Sequence, residues 1–286
     1  MGSAAGVYSV ELLYAEEPAV DAARLLGALR ARLGAVERID GTAASLAFVA
    51  HDVLVRYGEV ETSAQIVLSP TDGSYDPALA ASSLEHTWDW PNAQTMVSRA
   101  RRSLVVGDFF ARTLAPADRL RLVAEAVRAV AGVAPPLAID WRPAQKIIDP
   151  VDGLAAQTLP FNVRYFTFSG DRDGRALMDT RGLDVLGLPD IECIFVGLAP
   201  AEIASHLYGM AARLVSKGPV RDGHILTASD GRRWVCRKAQ ATVGPDRQVL
   251  ALEREPVGGG AQVTSSQDDR PATPVPDQQG QGKLPV

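Results

Sequence analysis

The chain alternates short runs of branched apolar residues with a few longer stretches whose apolar residues recur at helical spacing. This alternation most constrains the fold. The run VYSVELLY at residues 7–14 predicts a strand, and residues 20–33 predict a helix that ends at Gly34. SLAFVA, DVLVRYG and SAQIVLS then predict three consecutive strands. This order favours an α+β protein with mixed sheets and with helices packed on one face of each sheet.

The second half of the chain repeats this arrangement after a turn-rich connection, IIDPVDGLAAQTLP. An alternating strand is predicted at residues 161–169 and the most regular helix at residues 200–217, followed by strands at HILTA, RRWVCRK and RQVLALER. We therefore expect an N-terminal domain at 1–150 and a C-terminal domain at 151–256. Residues 257–286 contain no aromatic residue and are rich in Pro, Gly, Gln and Ser, so they predict a disordered tail.

The charge balance argues against nucleic acid and anionic membranes as partners. The formal net charge is −5 and the pI is about 5.5, whereas phosphate binding needs a concentrated basic surface. The sequence contains no apolar run of about 18 residues or more and no recognisable secretory signal. Two cysteines in a chain of 286 residues fit a reducing cytoplasm, where we expect the protein to reside.

The stretch DTRGLDVLGLPD, from Asp179 to Asp190, is the most patterned in the chain. Thr180 is predicted to cap a short helix, with the charge of Asp179 at its favourable end, and Gly187 to end that helix in a left-handed conformation. The leucines between them are predicted to press into the core. The residues of this structural motif are Asp179, Thr180, Gly182, Leu183, Gly187, Pro189 and Asp190.

The same two aspartates also define an alternative, catalytic hypothesis. Paired carboxylates hold a metal ion or act as acid and base when they converge at one point. His224 follows an Asp-Gly pair at the start of a strand, where a role beside a hairpin turn is favoured over catalysis. A hydrolase would use Asp179, Asp190 and His224 around a metal or a water molecule.

The common catalytic and cofactor-binding motifs are missing from the sequence. It contains no phosphate-binding loop, no dinucleotide-binding glycine motif, no nucleophile elbow, no HExxH and no CxxC. We therefore predict no cofactor and assign no metal ligand.

Two tryptophans, Trp88 and Trp90, flank Asp89 in the segment HTWDWPNA. Tryptophan dominates binding hot spots, so Trp88, Asp89 and Trp90 are candidates for a partner-binding surface. Burial against the sheet is the favoured alternative for the tryptophans, because their side chains contribute a large buried area. Asp89 would then point to solvent.

The sequence from DTRGLDVLGLPD through a strand and a helix to VRDGHIL and RRWVCRK resembles a bacterial family of domains of unknown function, numbered four-two-six-one. The resemblance covers about residues 160–240. The N-terminal half, with HTWDWPNA, SLVVGD and LAIDW, resembles the region that often precedes such a domain. Similar proteins occur beside bacterial secretion and toxin systems, so the resemblance implies an immunity or accessory role.

The expected function is therefore that of a cytoplasmic, non-catalytic protein that binds another protein. A basic toxin domain is the partner class that the resemblance implies and that an acidic chain favours. The hydrolase described above is the alternative. A structural or adaptor subunit is a third alternative, and it predicts a large exposed apolar patch.

Overall fold

The chain folds into two compact units. The computed structural model describes residues 6–39, 45–155, 161–168, 170, 173–227 and 231–255. Unit 1 spans Met1–Asn162 together with Gly182–Gly187, and unit 2 spans Val163–Arg181 together with Leu188–Val286. The predicted tail at 257–286 lies outside the described residues.

Unit 1 is built on a seven-stranded sheet with the order β2-β3-β4-β5-β1-β6-β7. All six pairs of neighbouring strands are antiparallel. The α+β class is confirmed, but the first sheet is not mixed as expected. The two long helices connect β1 to β2 and β5 to β6, and the strands of neither pair are neighbours in the sheet. Parallel neighbours would need such a connection between them. The strands are β1 (Ser9–Tyr14), β2 (Val36–Ile39), β3 (Leu46–Tyr57), β4 (Val60–Pro70), β5 (Arg102–Phe109), β6 (Ala138–Trp141) and β7 (Lys146–Ile148).

Helices cover both faces of this sheet, whereas the sequence predicted them on one. Tyr14 of β1 faces the long helices, and its hydroxyl donates to the carbonyl of Ala134 at 3.0 Å. Leu13 points the opposite way and packs with Ala80 and Val97 of the short helices. Residues 77–98, which contain the short helices on this side of the sheet, are here named the cap. The helices are α1 (Ala22–Leu33), α2 (Ala81–Glu85), α3 (Ala93–Ser98), α4 (Pro116–Val133) and α5 (Asp152–Ala155), with 3-10 turns at Pro77–Ala80, Arg142–Ala144 and Asp184–Leu186.

Arg119 is the buried charge that ties unit 1 together. It lies on α4 with 2% of its side chain exposed, and it donates to both carboxylate oxygens of Asp108, at 2.5 and 3.0 Å. It also donates to the carbonyls of Gly6 at 2.5 Å and Val185 at 2.7 Å. Asp108 in turn accepts from the backbone N–H of Tyr8 at 2.8 Å. One ion pair therefore joins the start of the chain, β5, α4 and the turn at Asp184–Leu186.

Unit 2 contains a six-stranded sheet with the order β11-β12-β13-β10-β9-β8. β10 and β13 are parallel, whereas β9–β10, β11–β12 and β12–β13 are antiparallel, so the expected mixed sheet is confirmed here. The helix α6 (Pro200–Lys217) packs on β9 and β10. Its predicted inner stripe, Ile203, Leu207, Ala211 and Leu214, is buried. The strands are β8 (Asn162–Thr167), β9 (Ala176–Arg181), β10 (Asp190–Phe195), β11 (Ile225–Thr227), β12 (Arg233–Gln240) and β13 (Gln248–Arg254).

Replacing Arg119 with methionine tests the role of this ion pair. We expect Arg119→Met to lower the free energy of unfolding by about 3–5 kcal/mol, because it leaves the carboxylate of Asp108 buried without its cation. Urea denaturation followed by circular dichroism measures this loss. Arg121→Met, at an exposed position of the same helix, is the control and should change stability by less than about 0.5 kcal/mol. Equal losses in both variants would contradict the assignment.

Candidate functional site

Asp179 and Asp190 meet in the interior of unit 2. Asp179 lies in β9, Asp190 begins β10, and both side chains are fully buried. Arg247, just before β13, connects them. Its Nη2 donates to Asp179 Oδ2 at 2.6 Å and its Nε donates to Asp190 Oδ2 at 3.1 Å. The two aspartates converge, as the catalytic hypothesis requires, but they converge on a guanidinium group.

Two further arginines surround the same carboxylates. Arg164 of β8 donates its Nε to Asp179 Oδ1 at 2.8 Å and its Nη2 to Asp179 Oδ2. Arg181 Nη1 lies 3.3 Å from Asp190 Oδ2. The side chains of all three arginines are at most 8% exposed. Together with Glu192 these residues form what we name the arginine–carboxylate cluster: Asp179, Asp190, Glu192, Arg164, Arg181 and Arg247.

Glu192 is a member that the sequence analysis did not identify. It lies directly opposite Asp179 in the β9–β10 register. Its carboxylate accepts from the backbone N–H of Thr242 at 2.8 Å and from the hydroxyl of the same residue. Burial raises the pKa of Glu192, and the charge of Asp179 adds to this, whereas the Thr242 hydrogen bonds and Arg247 lower it. A charged residue inside the apolar run DIECIF is the signal that could have identified it.

The cluster fixes the loop that precedes β13. Arg164 Nη2 donates to the carbonyl of Gly244 at 3.3 Å, and Arg247 Nη1 donates to the carbonyls of Val243 and Pro245, both at 3.1 Å. The three carboxylates face three arginines, so the buried formal charge sums to zero. Such a network holds the loop against the sheet, and removing one member leaves an uncompensated buried charge.

The structure gives little support for a metal at these carboxylates. Among the described residues, no group of three or more His, Cys, Asp or Glu side chains is arranged to hold a metal ion. A cation at Asp179 or Asp190 would also have to displace the guanidinium groups that occupy their oxygens. The cluster is therefore a buried network of ion pairs that holds the loop before β13 against the sheet, and we name it the clamp.

Thr180 does not cap a helix, contrary to the prediction. Residues 179–181 continue β9, so the backbone there is extended, and the hydroxyl of Thr180 accepts from the N–H of Ile191 at 2.8 Å. It also lies 3.3 Å from Asp190 Oδ1. Gly187 ends the 3-10 turn with φ +75°, and Leu183 is fully buried. The motif thus forms the β9–β10 corner, and its threonine joins the two strands.

His224 is not part of the cluster. It is exposed and directly precedes β11, and two strands, β12 and β13, lie between β11 and β10 in the sheet order. Its carbonyl accepts from the N–H of Cys236 at 2.8 Å, and the N–H of Gly223 donates to the carbonyl of Cys236 at 2.7 Å. These bonds extend the β11–β12 ladder at the end away from the hairpin turn. The structure therefore does not assemble the proposed set of Asp179, Asp190 and His224.

The tryptophans differ in their environments. Trp88 is 45% exposed, and its indole N–H donates to the carbonyl of Glu85 at 3.2 Å. Trp90 is partly buried and packs against the core beneath the cap. Asp89 has 62% of its side chain exposed, and its Oδ2 accepts from Lys146 Nζ at 2.6 Å. The predicted burial therefore fits Trp90, whereas Trp88 faces solvent beside an acidic neighbour.

A second buried carboxylate pair, which the sequence analysis missed, lies in unit 1. Glu11 of β1 and Asp140 of β6 are direct cross-strand partners with 4% and 0% exposure. Asp140 Oδ1 accepts from the hydroxyl of Ser83 in the cap at 2.7 Å, and Ser103 donates to Glu11 Oε1 at 2.6 Å. Arg142, half exposed, pairs with both carboxylates and lies 3.4 Å from Asp140 Oδ2.

This environment raises the pKa of the Asp140 carboxyl group. Burial raises the pKa of Asp140 from its ordinary 3.8 to about 6, and the charge of Glu11 adds to the effect. The hydrogen bond from Ser83 and the charge of Arg142 lower the pKa but do not cancel the increase. The run LAIDW is the sequence signal that could have identified Asp140, because this aspartate lies among apolar residues.

Both cysteines are buried, which disfavours the reactive thiolate form. Burial raises the pKa of Cys193 to about 12 and that of Cys236 to about 11, so both thiols remain protonated at neutral pH. Both are free. Cys236 aligns with Leu252 of β13, and Cys193 follows Glu192, which aligns with Ala251 on the other side of the same strand. A spacing of two strands is about 9–10 Å, too far for a disulfide bond.

Residues 179–253 match the model of a family described as a domain of unknown function, DUF4261. This confirms the resemblance for that region, which runs from the first aspartate of the cluster through β13. No curated protein and no solved structure matches the sequence. Within the described part of the chain, no helix is long and apolar enough to cross a membrane.

Replacing Arg247 with methionine tests the clamp. We expect Arg247→Met to lower the free energy of unfolding of unit 2 by about 3 kcal/mol, because two buried aspartates lose a shared cation. Hydrogen exchange of the loop at residues 241–247 should accelerate in parallel. Arg254→Met, at an exposed position of β13, is the matched control and should leave both quantities nearly unchanged. A stable Arg247→Met variant with a protected loop would overturn the clamp.

The pKa of Asp140 predicts a pH dependence of stability. The native state holds this proton more tightly than the unfolded state, so the stabilisation is complete below pH 3.8 and is lost as the pH rises through about 6. The difference corresponds to about 3 kcal/mol. In urea titrations from pH 4 to pH 7, Asp140→Asn should remove this component, so that its stability relative to the wild type increases with pH.

Asp72→Asn, at an exposed position, is the control and should follow the wild type at every pH. A constant difference between Asp140→Asn and the wild type across the range would contradict the raised pKa.

Proposed function

We propose that this chain, whose residues 179–253 match a domain family of unknown function, is a cytoplasmic, non-catalytic protein that binds another protein. The proposed binding surface is the face of the cap around Trp88. The family match lies in the second half of the chain, so the support for this surface comes from its own geometry and charge.

The observation that carries the proposal is an exposed tryptophan on a fixed backbone. Trp88 is 45% exposed, yet its indole is bonded to Glu85. The preceding residue, Thr87, donates its hydroxyl to the carbonyl of Ser83 at 2.7 Å and accepts from the N–H of Ile147 at 2.8 Å. A large aromatic side chain held in place before binding loses little conformational entropy when a partner covers it.

The surface around Glu85, whose carbonyl accepts from the indole of Trp88, is concave. An open depression of about 460 Å³ is lined by Pro77, Ala78, Ala81, Leu84, Glu85 and Gln94. Leu79, in the same 3-10 turn as two of these residues, is 58% exposed. A depression with both apolar and polar lining residues, linked through Glu85 to an exposed tryptophan, offers a partner both contact area and hydrogen-bonding groups.

The charge of the cap specifies the partner. Between Gly73 and Ser98 the sequence carries Asp76, Glu85 and Asp89 but no lysine or arginine. All three acids are exposed. An acidic rim around an apolar centre complements a basic surface and accelerates its association. We therefore propose a basic protein domain as partner, and the family resemblance favours a secreted bacterial toxin that this chain neutralises or accompanies.

The hydrolase alternative, with Asp179, Asp190 and His224, has less support. Both aspartates are occupied by arginines, and His224 directly precedes β11, which two strands separate from β10. A general base needs an oxygen within reach of substrate or water. This alternative predicts a metal-dependent hydrolytic activity that Asp190→Asn abolishes while the variant remains folded.

Binding should depend on Trp88. We expect Trp88→Ala to weaken binding of a partner recovered from the native host by about 30-fold, corresponding to about 2 kcal/mol, because truncation removes the anchor of the apolar centre. Asp89→Asn should slow association, and this effect should fade with added salt. Phe110→Ala, which removes another exposed aromatic ring of unit 1, is the control and should bind like the wild type.

Isothermal titration calorimetry and stopped-flow association kinetics measure these two effects. A partner of acidic surface, or a basic partner whose affinity is the same for Trp88→Ala and the wild type, would overturn the proposed surface.

A further inference from the structure

A basic depression lies between the two long helices of unit 1. Helices α1 and α4 pack against each other, and an open depression of about 340 Å³ lies along their seam. This volume falls within the range of small-molecule sites, about 300–1,000 Å³. Arginines from both helices line the depression together with residues of small side chain, and the argument rests on Arg24, Ala28, Arg32, Arg128, Ala129 and Gly132.

Helical spacing places these residues along one face of each helix. Arg24, Ala28 and Arg32 recur every four residues on α1, so their side chains project from the same side. Arg128 and Gly132 have the same spacing on α4. The arginine side chains therefore border a space that the alanines and the glycine leave unfilled.

Glu125 holds two of the arginines in place. Arg32 Nη1 donates to Glu125 Oε2 at 2.9 Å, and Arg128 Nη1 donates to Glu125 Oε1 at 2.7 Å. Arg128 Nε also donates to the carbonyl of Leu154 at 3.3 Å. Each guanidinium group has five N–H donors, so both arginines keep donors for a ligand. The side chains of Arg32 and Arg128 are 40% and 23% exposed, so a ligand can reach them from solvent.

The charge around the depression is positive. Three arginines and one bridging carboxylate leave a formal charge of +2 in a chain whose net charge is −5. A second acid, Asp21, precedes Arg24 by three residues and offsets only that end of the depression. Its Oδ1 accepts from the backbone N–H groups of Ala23 and Arg24, at 2.9 and 3.0 Å, so this carboxylate caps α1.

An ion-pair bridge between the helices does not account for the whole arrangement. The bridge through Glu125 uses Arg32 and Arg128 but not Arg24. Gly132 lies within α4, where glycine weakens a helix, and a Cβ added at this position would meet no packing neighbour within 4 Å. Packing within the described chain therefore does not require glycine here, whereas the close approach of a ligand to the helix backbone is a reason for it.

We propose that this depression binds a phosphate group, either as the free anion or as part of a small ester. Guanidinium groups bind phosphate oxygens through paired N–H donors. A phosphate monoester carries about −1.5 to −2 charges near neutral pH, which matches the charge left by the arginines and Glu125, whereas a carboxylate would neutralise only half of it. The site lies on the side of the sheet opposite to the cap, so it is independent of the proposed partner surface.

The length of the seam leaves room for more than the phosphate. Arg24 and Arg32 are eight residues apart, which is about 12 Å along α1. An ester can therefore lay its organic part beside the alanines while its phosphate is held by the arginines. This favours AMP and inorganic phosphate as probes of the two sources of the group.

Calorimetric titration of the full chain with AMP, adenosine and inorganic phosphate tests the proposal. AMP should bind with a dissociation constant on the order of 1 mM or below, and adenosine, which lacks the phosphate, at least about 10-fold more weakly. Arg24→Gln should weaken AMP binding about 5- to 10-fold, because one charged donor group is lost. Arg38→Gln removes an exposed arginine of β2 outside the depression and should bind AMP like the wild type.

Filling the depression tests its location without a change of charge. Gly132→Leu should remain folded, because the new side chain enters open space and leucine favours a helix, and it should abolish detectable AMP binding. Gly27→Leu is the matched control: Gly27 lies on α1, a Cβ there also meets nothing within 4 Å, and the residue does not line the depression. This variant should bind AMP like the wild type. Thermal melts followed by circular dichroism verify that both variants are folded.

The comparison of probes identifies the source of the phosphate. Inorganic phosphate that binds as tightly as AMP indicates the free anion, and tighter binding of AMP indicates an ester; either result supports the site when Gly132→Leu removes the binding. A wild type that binds neither probe at about 10 mM overturns the proposal. So does adenosine that binds as tightly as AMP, or AMP binding that Arg24→Gln and Gly132→Leu leave unchanged.

Discussion

Buried arginine–carboxylate pairing is the interaction on which the rest of the structure depends. In unit 2, Arg247 joins Asp179 to Asp190 across the corner between β9 and β10. In unit 1, Arg119 donates to both carboxylate oxygens of Asp108 and also to backbone carbonyls. Arginine suits both places because its planar fork binds two acceptors at once and stays charged when buried. These pairs specify which loops meet which strands, more than they add net stability.

The same pairing occupies the carboxylate oxygens of the patterned motif. An acid–base or metal-binding carboxylate needs an oxygen that is left open for water, substrate or cation. The oxygens of Asp179 are occupied by Arg164 and Arg247. Burial raises the pKa of two carboxyl groups, that of Glu192 in the cluster and that of Asp140 in the other unit, which accepts from the hydroxyl of Ser83 in the cap. Both carboxylates accept hydrogen bonds from hydroxyl groups of the protein itself.

The sequence predicted the elements whose signal is local and periodic. The inner stripe of α6 and the left-handed Gly187 follow from helical spacing and from the conformational freedom of glycine, and both are present. Thr180 was wrongly predicted as a cap, because a threonine before a turn has the same local pattern whether the backbone is helical or extended. The partners of Asp179 were not predictable, since Arg164 and Arg247 are far apart in sequence and meet it only through the sheet.

The proposed surface follows from where the charges of the cap are placed. Between Gly73 and Ser98 the sequence carries Asp76, Glu85 and Asp89 but no lysine or arginine, and all three acids are exposed. A charged rim selects a partner of opposite charge and steers its approach, whereas a fixed aromatic side chain such as Trp88 supplies contact area once the partner has arrived. The rim therefore governs the rate of association, and the tryptophan governs how long the complex lasts.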